Sequence, residues 1–191
     1  MTRTVPFSLC VYCGARDGRN PEYLRSASAL GRAIGENGWR LIYGAGDVGI
    51  MGAVAEAATA AGAAAIGVIP THLVATEAPR KRIGERIITE TMHERKKIML
   101  MNADAVAVLP GGAGSLDEFF EVLTWAQLGL HEKPVYLVDI EGYWQPLLAL
   151  IGHVIAEGFA EPSLGDLVQA VPNVDELVTE LRRSLREIHQ G

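Results

Sequence analysis

The stretch Ala105-Val106-Ala107-Val108-Leu109-Pro110-Gly111-Gly112-Ala113-Gly114-Ser115-Leu116-Asp117-Glu118 decides how the chain is read. Its first five residues form a continuous apolar run, as in a strand buried on both faces. After Glu118, Phe119-Phe120-Glu121-Val122-Leu123-Thr124-Trp125 reads as a helix. Between the two lies a glycine-rich strand-to-helix turn. Such a turn leaves backbone N–H groups unpaired and free of Cβ obstruction, and together with the helix dipole they suit a phosphate. Ser115 adds a hydroxyl. Glu118 stands one turn into the helix, within reach of a sugar attached to that phosphate. A plainer reading stands beside this one. Ser115-x-x-Glu118 is also a capping box, in which each side chain satisfies the other's backbone donor. A cap needs no glycine, whereas close approach of backbone to a ligand does.

Working outward, apolar strand candidates fall near Ser8–Tyr12, Arg40–Tyr43, Ala64–Ile69, Arg86–Thr89, Ala105–Leu109, Val135–Val138 and Leu167–Ala170. Helical stretches fall near Pro21–Asn37, Met51–Ala61, Met92–Asn102, Ser115–Leu128, Trp144–Glu157 and Val174–His189, the last amphipathic and charged, as in a packing element. This alternation predicts an α/β fold, a doubly wound parallel sheet with helices on both faces. Ligands of such sheets bind at the carboxyl ends of the strands, where the glycine turns after strands one, two and five all lie. The long polar connection Thr71–Glu85 is a candidate active-site loop.

With 191 residues, 49% of them apolar, the chain is expected to be a single domain over 1–191 with one sizeable core. The formal net charge of −6 does not attract nucleic acid, so an anionic ligand needs a local basic cluster. Arg80-Lys81-Arg82 with Arg86, and Arg95-Lys96-Lys97, are the candidates. No apolar run approaches membrane-spanning length and no signal-peptide core is visible, so no membrane partner and a cytoplasmic location are expected. Cys10-Val11-Tyr12-Cys13 lies in a strand candidate, where positions three apart face opposite sides. Two small core residues are therefore expected rather than a redox pair or metal site.

Gly44-Ala45-Gly46-Asp47-Val48-Gly49 matches G-x-G-x-x-G after a strand, yet the next strand ends in Pro70 without an acidic residue to hold a ribose. Gly44 and Gly46 are better suited to a mononucleotide contact, or to tight helix–sheet packing aided by Gly52. In Met92-His93-Glu94-Arg95-Lys96-Lys97-Ile98-Met99 the cations cannot share one face, since each step turns the helix by about 100°. Arg95 shares its face with Ile98, Met99 and Asn102, and a partly buried arginine calls for an anionic partner, either a ligand or a salt bridge. Lys96 is a secondary candidate and Lys97 is solvated. His131 suits the end of a helix, although it also has acid–base capacity.

Together these residues resemble the LONELY GUY family of cytokinin-activating phosphoribohydrolases, whose signature P-G-G-x-G-T-x-x-E stands here as Pro110 to Glu118. The likeness includes Met92 to Lys96, Glu121 to Gly129, the opening Cys10 to Gly14 and the Tyr43–Gly52 turn, and it spans Ser8 to Leu181. The resemblance implies a homodimer of Rossmann-like subunits that hydrolyses the N-glycosidic bond of N6-substituted adenosine 5′-monophosphates. The products would be free base and ribose 5-phosphate, formed without a metal or other cofactor. It implies Arg95 and Glu118 as the catalytic pair. It also implies substrate contacts from Glu77, Arg95, Lys96, Gly112, Ala113, Gly114, Ser115, Leu116, Asp117, Glu118 and Thr124, and Gly14, Gly44, Gly46 and Gly111 on the glycine turns at the strand ends are further candidates. Ser115 stands in the threonine place, Ala15 where a serine is frequent, and Ala45 where the family turn has glycine. Two other functions fit the same residues: an AMP-preferring phosphoribohydrolase, and a nucleotide carrier without turnover. Proteins of this type have also been labelled lysine decarboxylases, for which the chain shows no pyridoxal-phosphate motif.

A cation-like ribosyl centre forms when an N-glycoside is cleaved, and Glu118 is expected to stabilise it or to orient water. Along the same helix, Leu116, Phe119, Phe120 and Leu123 are expected to face the core. Val122 and Trp125 fall outside that stripe, and an indole there would mark a subunit interface.

Overall fold

The apolar runs pair side by side into one parallel sheet. The structure, a computed structural model, describes residues 6–77 and 83–188. Its strands are β1 (Ser8–Tyr12), β2 (Arg40–Tyr43), β3 (Ala65–Pro70), β4 (Glu85–Thr89), β5 (Ala105–Val108), β6 (Val135–Val138) and β7 (Gln169–Val171). They lie in the order β4-β3-β2-β1-β5-β6-β7, and every neighbouring pair is parallel. The central strands β1, β5 and β6 are buried along their whole length, as their unbroken apolar composition requires. β4 and β7 form the edges and are partly exposed.

The helices are α1 (Glu22–Glu36), α2 (Gly49–Ala60), α3 (Thr71–Glu77), α4 (Met92–Met101), α5 (Ala113–Gln127), α6 (Gln145–Ala156) and α7 (Val174–Ile188). Parallel strands need crossovers, and these cover both faces of the sheet. On one face Leu30 and Ile34 of α1, Val54 and Ala58 of α2, and Leu177 and Leu181 of α7 pack on the sheet. On the other, Met99 of α4, Phe119 and Leu123 of α5, and Leu147 and Ile151 of α6 do the same. Cys10 and Cys13 enter these opposite layers as free, buried thiols, which burial holds protonated.

Two expectations about local structure need correction. The connection Thr71–Glu85 is not one long loop: α3 occupies its first half, and the Thr71 hydroxyl donates to the Thr89 carbonyl across the β3–β4 edge (2.9 Å). Arg80, Lys81 and Arg82 lie outside the described residues. The capping box is not at Ser115 and Glu118. It forms one helix earlier, where the Thr91 hydroxyl accepts from the Glu94 N–H (3.2 Å) and Glu94 reaches back to the Thr91 N–H (3.2 Å). Among the described residues no helix is long and apolar enough to cross a membrane.

Candidate active site

The order of the strands reverses at β1, where β2 lies on one side and β5 on the other. Crossovers diverge there, and a crevice opens at the carboxyl ends. It holds a cavity of about 620 Å³, within the range of small-molecule sites. The segments after β1, β2, β3, β4, β5 and β6 all contribute: Cys13 to Arg16 with Gly18, Ile50 and Met51, Leu73, Met92 and Arg95, Pro110 to Ser115 with Glu118, and Tyr143. Among the described residues, Arg16, Arg95 and Glu118 are the charged ones on its wall.

The floor is the turn between β5 and α5. Helix α5 begins at Ala113 with Gly112 as its N-cap, and no side chain caps it. Ser115 is therefore the third helical residue, not a cap. The first N–H groups of a helix have no intrahelical acceptor, so those of Ala113, Gly114 and Ser115 are available at the cavity. The three glycines divide by role. A Cβ on Gly111 would lie 2.1 Å from the Ser115 hydroxyl and 2.8 Å from the Gly14 nitrogen, so Gly111 lets the β1 and β5 turns touch. A Cβ on Gly112 or Gly114 would meet no protein atom, so the space beside them belongs to the cavity.

Glu118 and Arg95 face this space while largely withdrawn from water, at 8% and 6% exposure. Burial pushes the Glu118 carboxyl up to about 7; Arg95 and Lys96 pull it down, and Asp117 and Glu121 push it further up. The Arg95 guanidinium donates to the Gly44 carbonyl (3.0 Å), while its Nε has no hydrogen-bond partner among the described residues. A buried guanidinium with an unused donor at a cavity wall is prepared for an anion. The carboxylate that would make Arg95 a plain salt bridge is absent among the described residues.

Other candidates lie elsewhere. Gly44 and Gly46 do not line the cavity. Gly44 makes room for the Arg95 guanidinium, and the Gly46 N–H lies 3.2 Å from Met51 sulfur. Leu116 and Asp117 turn away with the helix. Lys96 is buried against Asp117 and Glu121 rather than on the wall. Thr124 is exposed about three turns along α5. Glu77 ends α3, and its side chain lies outside the described residues. The buried face of α4 carries Arg95, Lys96, Met99 and Leu100, with Ile98 and Asn102 partly buried beside it, so Lys96 and Leu100 join the expected face. On α5, Val122 is buried and Phe120 is 39% exposed, the reverse of the expected stripe, and Trp125 packs partly against the α4–α6 layer. The His131 ring bonds the Val122 carbonyl and the Lys133 N–H, a structural role.

Several wall residues escaped the sequence reading. The Tyr143 hydroxyl donates to the Gly111 carbonyl (2.5 Å), and its ring meets Tyr23 edge-on. Met51 and Met92 flank Arg95. Their signal was position, directly after strand ends, rather than a motif. Ala45 has a left-handed backbone (φ 65°), which costs a non-glycine residue about 1 kcal/mol. Gly67 accommodates its methyl group, since a Cβ there would lie 2.7 Å from that of Ala45.

With this geometry in place, comparison with known proteins is specific. A family model described as "Possible lysine decarboxylase" matches residues 51–181. Cytokinin riboside 5′-monophosphate phosphoribohydrolase LOG7 of Arabidopsis thaliana is 43% identical, covering 91% of this chain and 80% of the relative. The enzyme of that name from the bacterium Rhodococcoides fascians is 41% identical, covering 94% and 91%. The chain belongs to the LOG family. The molybdenum cofactor carrier protein of Chlamydomonas reinhardtii superposes with a TM-score of 0.70 at 22% identity, over 95% of this chain and 99% of the carrier. At that identity the likeness is one of fold. Decarboxylation of lysine by pyridoxal phosphate would require a lysine on the cavity wall, and none is present among the described residues.

The withdrawn carboxyl has a consequence for stability. Glu118 ionises near 7 when folded, against an ordinary value of 4.5. Between these values the native state holds the extra proton, so stability is lost as pH rises through the window and stays lower above it. Glu118→Gln, neutral throughout, should match the parent near pH 4 and exceed it by about 3 kcal/mol near pH 9. Urea unfolding at both pH values measures the difference. A gain that does not depend on pH contradicts this assignment.

Proposed function

We propose that the protein hydrolyses the N-glycosidic bond of N6-substituted adenosine 5′-monophosphates, as its LOG relatives are named for doing, releasing base and ribose 5-phosphate. The observation that carries this reading is one cavity holding an uncapped helix N-terminus, an arginine with a spare donor and a desolvated carboxyl. The 5′-phosphate sits on the N–H groups of the Gly112–Ser115 turn. Glu118, ionised, faces the ribose. As the C1′–N9 bond breaks, its electron pair leaves with the base and positive charge develops on the sugar; the attacking water gives its hydroxyl to C1′, and the proton it releases balances the one the base takes up. Glu118 stabilises that charge and directs water to C1′. Arg95 holds the nucleotide in place through the Nε–H that has no partner among the described residues. The apolar wall of Ile50, Met51, Leu73 and Met92 suits a base bearing an apolar N6 group, which favours this reading over an AMP-preferring enzyme. Against a carrier without turnover stands Glu118, since binding alone needs no sugar-facing carboxylate. The same reading takes 1–191 as a single domain, without a cofactor, in the cytoplasm.

Incubation with N6-isopentenyl-AMP and with AMP should release free base, and adenosine should not react. The value of kcat/KM should rise with pH through about 7, as Glu118 ionises. Removing a preorganised charge lowers rates by about 10²–10³, and Glu118→Gln should lose at least that much. Arg95→Ala should raise KM and slow turnover. A profile that falls through 7 would make Glu118 the proton donor to the leaving base. Equal rates on adenosine and AMP would remove the phosphate cradle.

The same reading includes a homodimer with its sites close to the interface. Phe120 and Thr124 on α5 and Leu128 at its C-terminal cap lie four residues apart, one exposed stripe at helical spacing. Thr124 stands six residues beyond Glu118, about 9 Å along the helix axis, and does not line the cavity of its own chain. The family's substrate contact at Thr124 thus fits a nucleotide held across two copies. Light scattering at micromolar concentration should give twice the 20.5 kDa of one chain. Leu128→Glu should lower that mass and the activity with it, and a monomeric mass for the parent rejects the dimer.

A further inference from the structure

One cation on the cavity wall takes no part in bond cleavage. Arg16 stands on the segment after β1 and lines the cavity together with Gly111 to Ser115. Its backbone is fixed from two sides. The Gly14 N–H donates to the Pro110 carbonyl (3.1 Å), and a Cβ on Gly49, where α2 begins, would lie 2.5 Å from the Arg16 nitrogen. Further along, a Cβ on Gly18 would lie 2.7 Å from the Tyr23 ring. That ring meets Tyr143 edge-on, and the Tyr143 hydroxyl donates to the Gly111 carbonyl. Both ends of the segment 14–18 are thus tied to the β5–α5 turn, with Arg16 between the ties. The side chain is uncommitted. Arg16 is exposed, and among the described residues its guanidinium has no hydrogen bond or ion pair. Asp17 and Arg19 beside it do not line the cavity.

We propose that Arg16 is a specificity-determining residue: its guanidinium closes from the cavity rim onto the 5′-phosphate at the start of α5 and selects substrates that carry a dianion there. This rests on the reading of the cavity as a nucleoside monophosphate site. Charge balance supports it. A phosphate monoester carries about −1.5 to −2 at neutral pH. Ionised Glu118 adds a further negative charge to the same cavity. Against these, a helix N-terminus offers the equivalent of about +0.5. Arg95 offers one full charge, and Glu118 already draws on it. Without a second full cation the loaded site holds excess negative charge, and Arg16 is the other cation on the wall among the described residues. The net charge of −6 sharpens the need, because the field of the whole chain opposes entry of a dianion. Arginine suits the task, since its planar fork meets phosphate oxygens in pairs. The two arginines divide the work. Arg95 is buried and donates to the Gly44 carbonyl, whereas Arg16 stands at the surface where the ligand enters.

The phosphate keeps its charge as the C1′–N9 bond breaks, so Arg16 binds ground state and transition state alike. Such uniform binding appears in KM rather than kcat. With N6-isopentenyl-AMP at low salt, Arg16→Ala should raise KM about tenfold without lowering kcat. Arg16→Lys should recover part of the loss, and Arg16→Glu should deepen it. Added salt should narrow the gap between parent and Arg16→Ala, because exposed charges are screened. Arg19→Ala removes the same charge from the same segment, away from the cavity, and should behave like the parent. An unchanged KM in Arg16→Ala, or a rise matched by Arg19→Ala, would overturn the proposal. A lowered kcat at constant KM would also overturn it. Calorimetry with ribose 5-phosphate, the product that keeps the phosphate, separates this failure from a wrong substrate class, since it needs no turnover. If the parent releases no base, about tenfold weaker binding of ribose 5-phosphate in Arg16→Ala, with none of that loss in Arg19→Ala, still supports Arg16 as the phosphate ligand. Equal binding in parent and Arg16→Ala, or no binding by the parent, rejects it.

Discussion

The close approach of the turns after β1 and β5 is the constraint on which the site depends. The Gly14 N–H donates to the Pro110 carbonyl (3.1 Å), and the Gly14 carbonyl accepts from Met51 at the start of α2 (3.1 Å). One short segment thus ties together the two strands at the switch point and the helix that leaves toward the opposite face. Side chains at 14 and 111 would force these turns apart. Tyr143 adds a third tie through the Gly111 carbonyl, and the Trp144 indole donates to Val108 (3.1 Å). The start of α5 is therefore held from several sides while its own N–H groups stay open. A preorganised anion site needs this combination of rigid backbone and unsatisfied donors.

The chemistry placed on this frame works against stability. A carboxyl withdrawn from water is costly when ionised, and an arginine whose Nε–H has no partner among the described residues is costly at any pH. Neither group forms an ion pair with the other, which would satisfy both and leave less for a ligand. The large parallel core on both faces of the sheet absorbs these costs. Sites that favour a reaction over the fold commonly show this pattern of tuned ionisation.

Much of this was legible in the residues. The unbroken apolar runs determined the parallel sheet, because only strands covered on both faces read that way. Pro110 to Glu118 pointed to the place where the structure has a cavity, because a glycine turn between strand and helix has few other uses. The S-x-x-E spacing at Ser115 and Glu118 is not a capping box because α5 begins two residues earlier, at Ala113 with Gly112 as its N-cap, a start that the spacing does not report. Phe120 and Val122 exchanged roles because helix periodicity gives a stripe but not its rotation. That rotation comes from the sheet below. The pairing of Lys96 with Asp117 and Glu121 joins residues 21 and 25 positions apart on two helices, which no local pattern reports. Tyr143 and Met92 reach the cavity by topology alone.

The central claim is that α5 holds the 5′-phosphate at its N-terminus and thereby sets the glycosidic carbon beside Glu118. A crystal structure of the Glu118→Gln variant with N6-isopentenyl-AMP tests it most directly. The account predicts phosphate oxygens within hydrogen-bonding distance of the backbone N–H groups of Ala113, Gly114 and Ser115, with C1′ next to the side chain at position 118. A nucleotide bound with its phosphate away from this turn, or with its sugar remote from position 118, would contradict it.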